Sequence, residues 1–252
     1  MALSKWDYSG IAAETYDLWF GHEPFWDQAF FFNRINLNGG PALELACGTG
    51  RLLVPFLRDG LNVEGTDASP EMLAICERKA AAAGVTPVLH QQFMQELAVP
   101  RRFRTIYVPA HSFQILVERA EAIQALVRSR EHLMPGGELI VTLAQTWTEA
   151  AAGAEERLIR STTRSDGSVA RVYSSMRMIP AERIQELRVR FEIVSNDVVT
   201  DSLTWPAARL RWYEPSEFTS MLRTAGYTSV EVQLGYDGQP GHDADLIFLA
   251  ST

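Results

Sequence analysis

The most informative stretch of this 252-residue chain is Ala42-Leu43-Glu44-Leu45-Ala46-Cys47-Gly48-Thr49-Gly50-Arg51. It begins as a short apolar run typical of a β-strand, turns at Gly48 and Gly50, and leads directly into a helical apolar pattern from Leu52. A strand that turns through glycines into a helix brings bare backbone and the positive helix N-terminus against a ligand. The stretch therefore predicts a ligand-binding loop.

Glu44 narrows the chemistry of that ligand. A dinucleotide-binding loop spaces three glycines as G-x-G-x-x-G to approach a pyrophosphate, whereas the third position after Gly50 is Leu53 here. A carboxylate just upstream of the turn would also repel phosphate. Both features argue against a nicotinamide-dependent dehydrogenase and favour a ligand that carries positive charge and no phosphate.

The pattern E-x-A-C-G-T-G resembles the first motif of the class I S-adenosylmethionine-dependent methyltransferases. S-adenosylmethionine (SAM) carries a sulfonium and an ammonium group, which suits the loop. The resemblance implies SAM as the cofactor and S-adenosylhomocysteine as the product. It also implies that the loop supplies these cofactor contacts: Glu44, Ala46, Cys47, Gly48, Gly50 and Arg51.

Two later segments match further parts of a SAM site. A second strand, 61–67, ends in Asp67 at about twenty residues past the glycines, where a carboxylate holds a ribose diol. A helix follows, capped by Ser69, and we expect Ala68 and Met72 at its start to contact the cofactor. Taken alone, Asp67 would read as a turn residue at a strand end.

The third strand, 86–90, is followed by the segment that the resemblance assigns to adenine. The family commonly places an acid there, and this chain has Gln92, whose amide oxygen can accept from the adenine amino group. The Phe93 backbone N–H can donate to the ring, and Met94 completes the predicted contact. The alternative is that Gln92 is solvated on a loop.

The fourth strand, 105–109, ends in the segment that should meet the methyl acceptor. An Asn-Pro-Pro-Tyr type motif, typical of DNA and protein-amide methylating relatives, is absent. We expect Pro109 to contact the cofactor and Ser112 to contact the acceptor. His111 is the titratable residue of the segment and is a candidate general base. The alternative is that His111 only lines the acceptor pocket.

Ten aromatic residues fall within the first 32 positions. Most should pack a leading helix onto the core, and residues 1–36 are predicted to form an N-terminal lid. Tyr16 is a candidate cofactor contact whose ring would face the sulfonium, and Trp19 a candidate substrate contact. Tyr16-Asp17 also matches a Y-D pair that belongs to such a lid in relatives.

The order of elements predicts a Rossmann-like α/β fold. Strands and helices alternate to about residue 150, with a fifth strand at 138–143 after a helix that ends at Pro135-Gly136-Gly137. A helix from Pro215 and strands at 227–234 and 244–250 complete seven strands. The resemblance implies that the last strand is antiparallel and lies between its neighbours. The core is thus assigned to 38–145 and 213–252.

Residues 155–212 alternate with period two and predict a small antiparallel β-sheet, or flap, inserted after the fifth strand. It resembles the accessory flap of small-molecule methyltransferases. Its four arginines, Arg171, Arg177, Arg188 and Arg190, form either a solvated outer face or a cationic face for an acidic acceptor. We expect its apolar side to pack over the active-site mouth and an edge to form a symmetric homodimer.

Composition indicates a single globular domain, 1–252, that is 46% hydrophobic and 21% charged. The net charge of −8 disfavours nucleic-acid binding. Neither a signal peptide nor a membrane span is recognisable, so we expect a cytoplasmic protein without membrane attachment. The two cysteines suggest no disulfide framework, and His242-Asp243-Ala244-Asp245 is too isolated to predict a metal site.

These patterns predict a methyltransferase that moves the methyl group of SAM to a nitrogen, oxygen or sulfur atom of a small-molecule acceptor. The alternative is a SAM-binding sensor or scaffold that has lost catalysis. The loop and Asp67 do not separate the two, because both need the cofactor.

Overall fold

The computed structural model describes residues 8–19, 23–144, 155–236 and 245–252. The helices are α1 Ile11–Glu14, α2 Gln28–Asn38, α3 Leu53–Arg58, α4 Pro70–Ala82, α5 Arg119–Glu131 and α6 Pro215–Thr224. The strands are β1 Ala42–Leu45, β2 Val63–Asp67, β3 Val88–Gln91, β4 Phe103–Val108, β5 Leu133–Ala144, β6 Arg157–Thr163, β7 Val169–Ile179, β8 Ile184–Ser195, β9 Val198–Arg211, β10 Ser229–Leu234 and β11 Asp245–Ser251.

Seven strands form one mixed sheet in the order β10-β11-β5-β4-β1-β2-β3. The last strand, β11, lies between β10 and β5 and is antiparallel to both, as predicted. The carboxyl ends of the parallel strands therefore share one edge, and β11 begins at that same edge because Asp245 pairs with Ala144 at the end of β5. Open α/β sheets bind ligands at this edge.

Successive side chains of each strand point to opposite sides of the sheet, and buried side chains lie on both sides of the central strands β1 and β4. Leu43 and Ile106 face a core that includes Phe218 of α6. Ala42 and Tyr107 face a second core, which α2, α3 and α4 cover. Helices on both faces fix the strand ends, which hold the predicted ligand-binding groups.

The boundary between α5 and β5 differs from the prediction. The helix ends at Glu131, and the strand runs through the Pro-Gly-Gly turn signal from Leu133 instead of starting at Glu138. Leu133 pairs with Phe103 of β4, and a register shift between Phe103 and Thr105 accommodates the irregular backbone. Pairing with a neighbouring strand thus overrides the local signal.

Four antiparallel strands, β6-β7-β8-β9, form the inserted sheet. Its alternation is as predicted: the side chains of Val172, Val189 and Phe191 are buried and pack with Ile11 and Ala12 of α1. The apolar side of the flap thus covers the N-terminal segment.

The opposite face of the flap is charged and partly exposed. Arg177 donates to Glu186, and Arg190 pairs with Glu156 while its guanidinium lies 4.0 Å from the centre of the Tyr173 ring. These pairs fit the outer-face interpretation of the arginines, because carboxylates on neighbouring strands already compensate the positive charge.

Candidate functional site

The turn after β1 has the backbone that its glycines predict. Gly48 and Gly50 have φ values of +54° and +80°, and a Cβ on Gly50 would lie 2.6 Å from the Sγ atom of Cys76. A Cβ on Gly48 would lie 3.2 Å from the terminal methyl of Met72. Only glycine satisfies both the left-handed backbone and the close packing at position 50. The turn consequently presents backbone at the edge of the sheet.

A cavity opens directly against this turn, at the carboxyl ends of β1, β2 and β4. Ten predicted site residues line it: Tyr16, Ala46, Gly48, Asp67, Ala68, Met72, Gln92, Phe93, Met94 and Ser112. Seven lining residues were not predicted: Tyr8, Ser69, Gln95, Ile115, Leu116, Val117 and Glu121. Ser69 and Gln95 adjoin predicted positions, whereas the apolar residues after Ser112 carry the same pattern as ordinary core.

Asp67 shapes the loop as well as lining the cavity. Its Oδ2 accepts from the Gly48 N–H at 2.8 Å, and its Oδ1 accepts from the Ser69 N–H at 2.9 Å. Burial raises the pKa of this carboxyl, and the backbone donors oppose that shift. The side chain thus joins the glycine turn to the start of α4, where Ser69 caps the helix by accepting from the Met72 N–H.

Glu44 lies in the core beside the loop. Its side chain is buried, accepts a hydrogen bond from the Tyr107 hydroxyl at 2.9 Å, and is not among the described residues that line the cavity. Burial raises its pKa to about 8, although the positive charge of Arg51 opposes this effect. Direct contact between Glu44 and a cofactor stays a prediction.

Arg51 is also directed away from the cavity. It donates to both carboxylate oxygens of Asp27 at 2.5 and 2.6 Å, and its guanidinium lies about 5 Å from the ring centres of Phe25 and Trp26. Asp27 is fully buried. This bidentate pair fastens the segment before α2 to the loop, and contact of Arg51 with a cofactor stays a prediction.

The thiol of Cys47 is buried on the far side of the loop. A Cβ on Gly65 would lie 2.8 Å from its Sγ atom, which shows how closely the thiol packs on β2. A hydrogen bond with the Cys76 thiol and burial raise the pKa of Cys47. The described cavity lining does not include Cys47, and its predicted cofactor contact is untested.

Gln92 lines the cavity, but its amide oxygen already has a partner. Oε1 accepts from the Ala98 N–H at 2.8 Å, within the turn that follows β3. An acceptor role of this oxygen toward adenine would therefore have to share or replace that hydrogen bond. The sequence did not indicate this pairing, because it depends on how the chain folds back six residues later.

The N-terminal segment lies over the loop. Tyr8 and Tyr16 both line the cavity, and their ring centres are 5.2 Å apart in an edge-to-face arrangement. Ser69 donates to the Tyr8 carbonyl at 2.7 Å, and Thr49 donates to Asp17 at 2.5 Å. Burial raises the pKa of both tyrosines, which keeps them as neutral phenols. The side chain of Trp19 lies outside the described part of the chain.

The chain after β4 places His111 on a strained turn. Ala110 and His111 have φ values of +52° and +62°, a region that residues other than glycine seldom adopt. The His111 Nε2 atom lies 2.8 Å from the Oδ1 atom of Asp245. Ser112 lines the cavity, whereas Pro109 and His111 are not among the described residues that line it, so their predicted contacts stay predictions. No role in the site was predicted for Asp245, because 134 residues separate it from His111.

The described ranges contain no group of three or more histidine, cysteine, aspartate or glutamate side chains that could hold a metal ion. His242 and Asp243 lie outside the described residues, so the predicted absence of a metal site is untested. Among the helices that the structure describes, none is both long and apolar enough to cross a membrane.

Comparison with known proteins finds similarity over a part of the chain that includes this loop. Residues 42–137 match the family model described as a methyltransferase domain. Over 141 residues the chain is 34% identical to dTDP-3-amino-3,6-dideoxy-alpha-D-glucopyranose N,N-dimethyltransferase of Streptomyces fradiae. That alignment covers 54% of this chain and 54% of the relative, so the chain spans about half the length of that protein.

Solved structures share the fold over nearly the whole chain. A SAM-dependent methyltransferase from Clostridium acetobutylicum superimposes with a TM-score of 0.76 at 17% identity, covering 95% of this chain and 96% of the other. DesVI of Streptomyces venezuelae has a TM-score of 0.74 at 22% identity, covering 96% and 99%. Because both sequence identities are below 25%, these similarities establish the fold alone.

Proposed function

We propose that this chain, which carries a class I SAM-dependent methyltransferase domain, transfers the methyl group of SAM to a small-molecule acceptor. The observation that carries the proposal is the cavity at the strand ends, which ten residues predicted for such a site line. The acceptor atom is a nitrogen, oxygen or sulfur with a free electron pair. A bond forms between that atom and the methyl carbon as the bond from sulfur breaks, and S-adenosylhomocysteine is released.

The described residues can hold the cofactor by complementary chemistry. The Asp67 carboxylate accepts hydrogen bonds and suits a ribose diol, and the bare backbone at Gly48 permits close approach. The neutral ring of Tyr16 can face a sulfonium, which aromatic faces attract. Covering the cavity with the N-terminal segment would exclude water while the acceptor is aligned behind the methyl carbon.

His111 is the proposed general base. It directly precedes Ser112, which lines the cavity, and would take the proton that the acceptor loses on methylation. We expect His111→Ala to slow the chemical step by roughly 10²-fold or more while SAM affinity is unchanged.

Single-turnover rates across pH, for wild type and His111→Ala, test this role. Identical pH profiles would eliminate the base and leave His111 as a pocket residue. The same conclusion would follow if His111→Ala changed the affinity for the acceptor and left the rate of the chemical step unchanged.

An amino-sugar nucleotide is the acceptor class that we propose to test first. The Streptomyces fradiae relative is named for N,N-dimethylation of a dTDP-linked 3-amino sugar. Trp19, His111 and Ser112 are the proposed acceptor contacts, because they come from the lid and from the end of β4 at the functional edge of the sheet.

The decisive assay incubates the protein with SAM and a panel of amino-sugar nucleotides, hydroxylated aromatics and thiols. Product is read by mass spectrometry as addition of a methylene unit, together with release of S-adenosylhomocysteine. Methylation of a panel member supports the enzyme. Tight SAM binding without methyl transfer to any acceptor class would favour the sensor or scaffold alternative.

We also propose a homodimer and a cytoplasmic location. β6 is an edge strand of the inserted sheet, and Leu158 and Ile159 on it are about half exposed. Both described cysteines are free thiols, which suits a reducing compartment. A monomeric mass by light scattering at high concentration would refute the dimer, and fractionation of cells with an antibody locates the protein.

A further inference from the structure

We propose that Asp245 is a positioning residue for His111. Its buried carboxylate fixes the imidazole as the tautomer protonated on Nε2, so that the unprotonated Nδ1 atom is the one available to the acceptor. This inference rests on the proposed base role of His111 and adds the residue through which that role is set.

The contact itself determines which nitrogen carries the proton. The Nε2 atom of His111 lies 2.8 Å from Oδ1 of Asp245, a normal hydrogen-bond distance. An ionised carboxylate has only acceptor atoms, so the imidazole must be the donor. A neutral imidazole carries one N–H, and its Nδ1 atom then holds the free electron pair that a base requires.

The carboxylate is held rigidly. Asp245 is the first residue of β11, pairs with Ala144 of β5, and its backbone carbonyl accepts from the Gly235 N–H at 2.9 Å. Its side chain is 7% exposed, against 29% for that of His111. The acceptor of the Nε2 hydrogen bond is thus fixed on the sheet, and the His111 ring is the more exposed of the two side chains.

A second polar group lies beside the Asp245 carboxylate. The second carboxylate oxygen, Oδ2, is buried. Burial, the charges of Asp27 and Asp245 and a hydrogen-bonding interaction with Asp245 raise the pKa of Tyr236, so the phenol is neutral. A buried carboxylate needs such polar neighbours, and His111 is the one of them that reaches the segment after β4.

The backbone of His111 restricts the ring from the other side. Ala110 and His111 both adopt left-handed conformations, and the turn is closed by hydrogen bonds from Ser112 N to Pro109 O and from Gln114 N to His111 O. Strained backbone of this kind occurs at sites whose side-chain direction matters. The turn and Asp245 together give the imidazole one orientation.

Nitrogen-15 NMR of histidine-labelled protein tests the tautomer without any catalytic assay. The His111 signals are assigned by their loss in His111→Gln. In wild type we expect protonation on Nε2 and a free Nδ1 at neutral pH. In Asp245→Asn the amide group can donate to Nε2, so a large share of His111 should shift to the Nδ1-protonated form. A wild-type ring protonated on Nδ1, or an unchanged tautomer in Asp245→Asn, would overturn the proposal.

Single-turnover methyl transfer provides the second arm. We expect Asp245→Asn to slow the chemical step by about 10²-fold with SAM affinity unchanged, because the wrong tautomer presents an N–H where a base is needed. Asp245→Glu, which keeps an acceptor for Nε2, should recover part of the rate, whereas Asp201→Asn on the exposed part of β9 should have no effect.

The tautomer measurement and the rate measurement together distinguish failure of the positioning role from failure of the proposed function. Combining His111→Ala with Asp245→Asn should be no slower than His111→Ala alone, since both act through one imidazole. Equal melting temperatures of wild type and Asp245→Asn exclude misfolding as the cause of a slow rate. A fast Asp245→Asn enzyme would show a merely structural pair and refute the positioning role. Absence of methyl transfer in wild type, with the tautomer as expected, would instead refute the proposed function.

Discussion

At the residue scale, the binding loop depends on polar side chains that are buried in satisfied pairs. Tyr107 donates to Glu44, and Arg51 forms a bidentate pair with Asp27. The nearby guanidinium opposes the shift that burial imposes on Glu44. Removing one member of such a group leaves another polar atom buried without a partner, which costs more than the hydrogen bond contributes. The loop is consequently rigid before any ligand arrives.

Glu44 should make the stability of the protein depend on pH. Its pKa in the folded protein is about 8, above the value of an exposed glutamate, so the folded state retains a proton that the unfolded state has lost. The stability that Glu44 contributes is complete below the unfolded pKa and is lost as pH rises through the folded pKa. The slope of this loss reaches at most about 1.4 kcal/mol per pH unit.

Glu44→Gln keeps an acceptor for Tyr107 and cannot ionise. We therefore expect the stability of Glu44→Gln relative to wild type to increase as pH rises between about pH 5 and 8. Denaturant unfolding at several pH values measures this difference, with Glu96→Gln on the turn after β3 as a matched control. A difference that stays constant with pH would contradict the assignment.

Asp67 should determine much of the cofactor affinity. It is at the cavity surface and also anchors the Gly48 and Ser69 backbone N–H groups. Asp67→Ala should weaken SAM binding by about 1.5–3 kcal/mol, the range for hydrogen bonds to a charged group, or roughly 10–150-fold in Kd. Calorimetric titration measures the change, and Glu131→Ala on α5 serves as a distant control. An unaltered Kd would remove Asp67 from the site.

At the element scale, the N-terminal segment owes its structure to the inserted sheet. α1 has four residues, too few for an isolated helix to persist in water. Its residues Ile11 and Ala12 are buried against Val189 and Phe191 of the flap, and Tyr8 packs edge-to-face on Trp205 with ring centres 4.9 Å apart. The N-terminal segment thus packs against the flap on one side and against the binding loop on the other.

The binding loop and α4 contact the N-terminal segment through three side chains, which we call the lid latch: Asp17, Thr49 and Lys79. Thr49 donates to Asp17 at 2.5 Å and Lys79 lies 2.9 Å from the other carboxylate oxygen. Asp17→Ala should loosen the segment and raise the Kd for SAM about fivefold, corresponding to about 1 kcal/mol for partly exposed polar contacts.

Hydrogen exchange of residues 8–18 should become faster in Asp17→Ala, while exchange in the central strands is unchanged. Glu14→Ala is the matched control, because Glu14 pairs only loosely with Arg164 at 3.4 Å on an exposed surface. Equal exchange in the two variants would show that the latch does not hold the segment.

At the scale of the whole molecule, the cavity joins parts that are distant in sequence. Tyr8, Gly48, Asp67 and Leu116 all line it, so a bound ligand links the covering segment to three strand ends. A ligand that binds only the folded state stabilises it by about 2.7 kcal/mol at a hundredfold excess over Kd. For a domain of this size that corresponds to an increase in Tm of about 5–10 °C.

Scanning calorimetry with SAM and with S-adenosylhomocysteine should therefore show this increase. NAD should produce none, because the loop lacks the third glycine of a dinucleotide site. Stabilisation by NAD equal to that by SAM would contradict the cofactor assignment.

The sequence by itself predicted the seven strands of the main sheet and ten of the seventeen residues that line the cavity, and its resemblance to a family implied the antiparallel last strand. Steric and hydrophobic patterns along the chain predict three local features directly. These are the glycine backbone at positions 48 and 50, the placement of Asp67 at a strand end, and the alternating apolar residues. The sequence also predicted the flap and which of its faces is buried. It placed the start of β5 too late, since pairing of Leu133 with Phe103 depends on a neighbouring strand.

The tertiary structure alone decided which polar groups meet. Glu44 accepts a hydrogen bond from Tyr107 of β4, and Gln92 accepts one from the Ala98 N–H. His111 pairs with Asp245 on a strand 134 residues away. Each pairing depends on strand order and on register, because side chains from separate elements converge only when the sheet is assembled. Local pattern predicts where a binding group stands along the chain, and packing determines whether that group faces a ligand or another side chain.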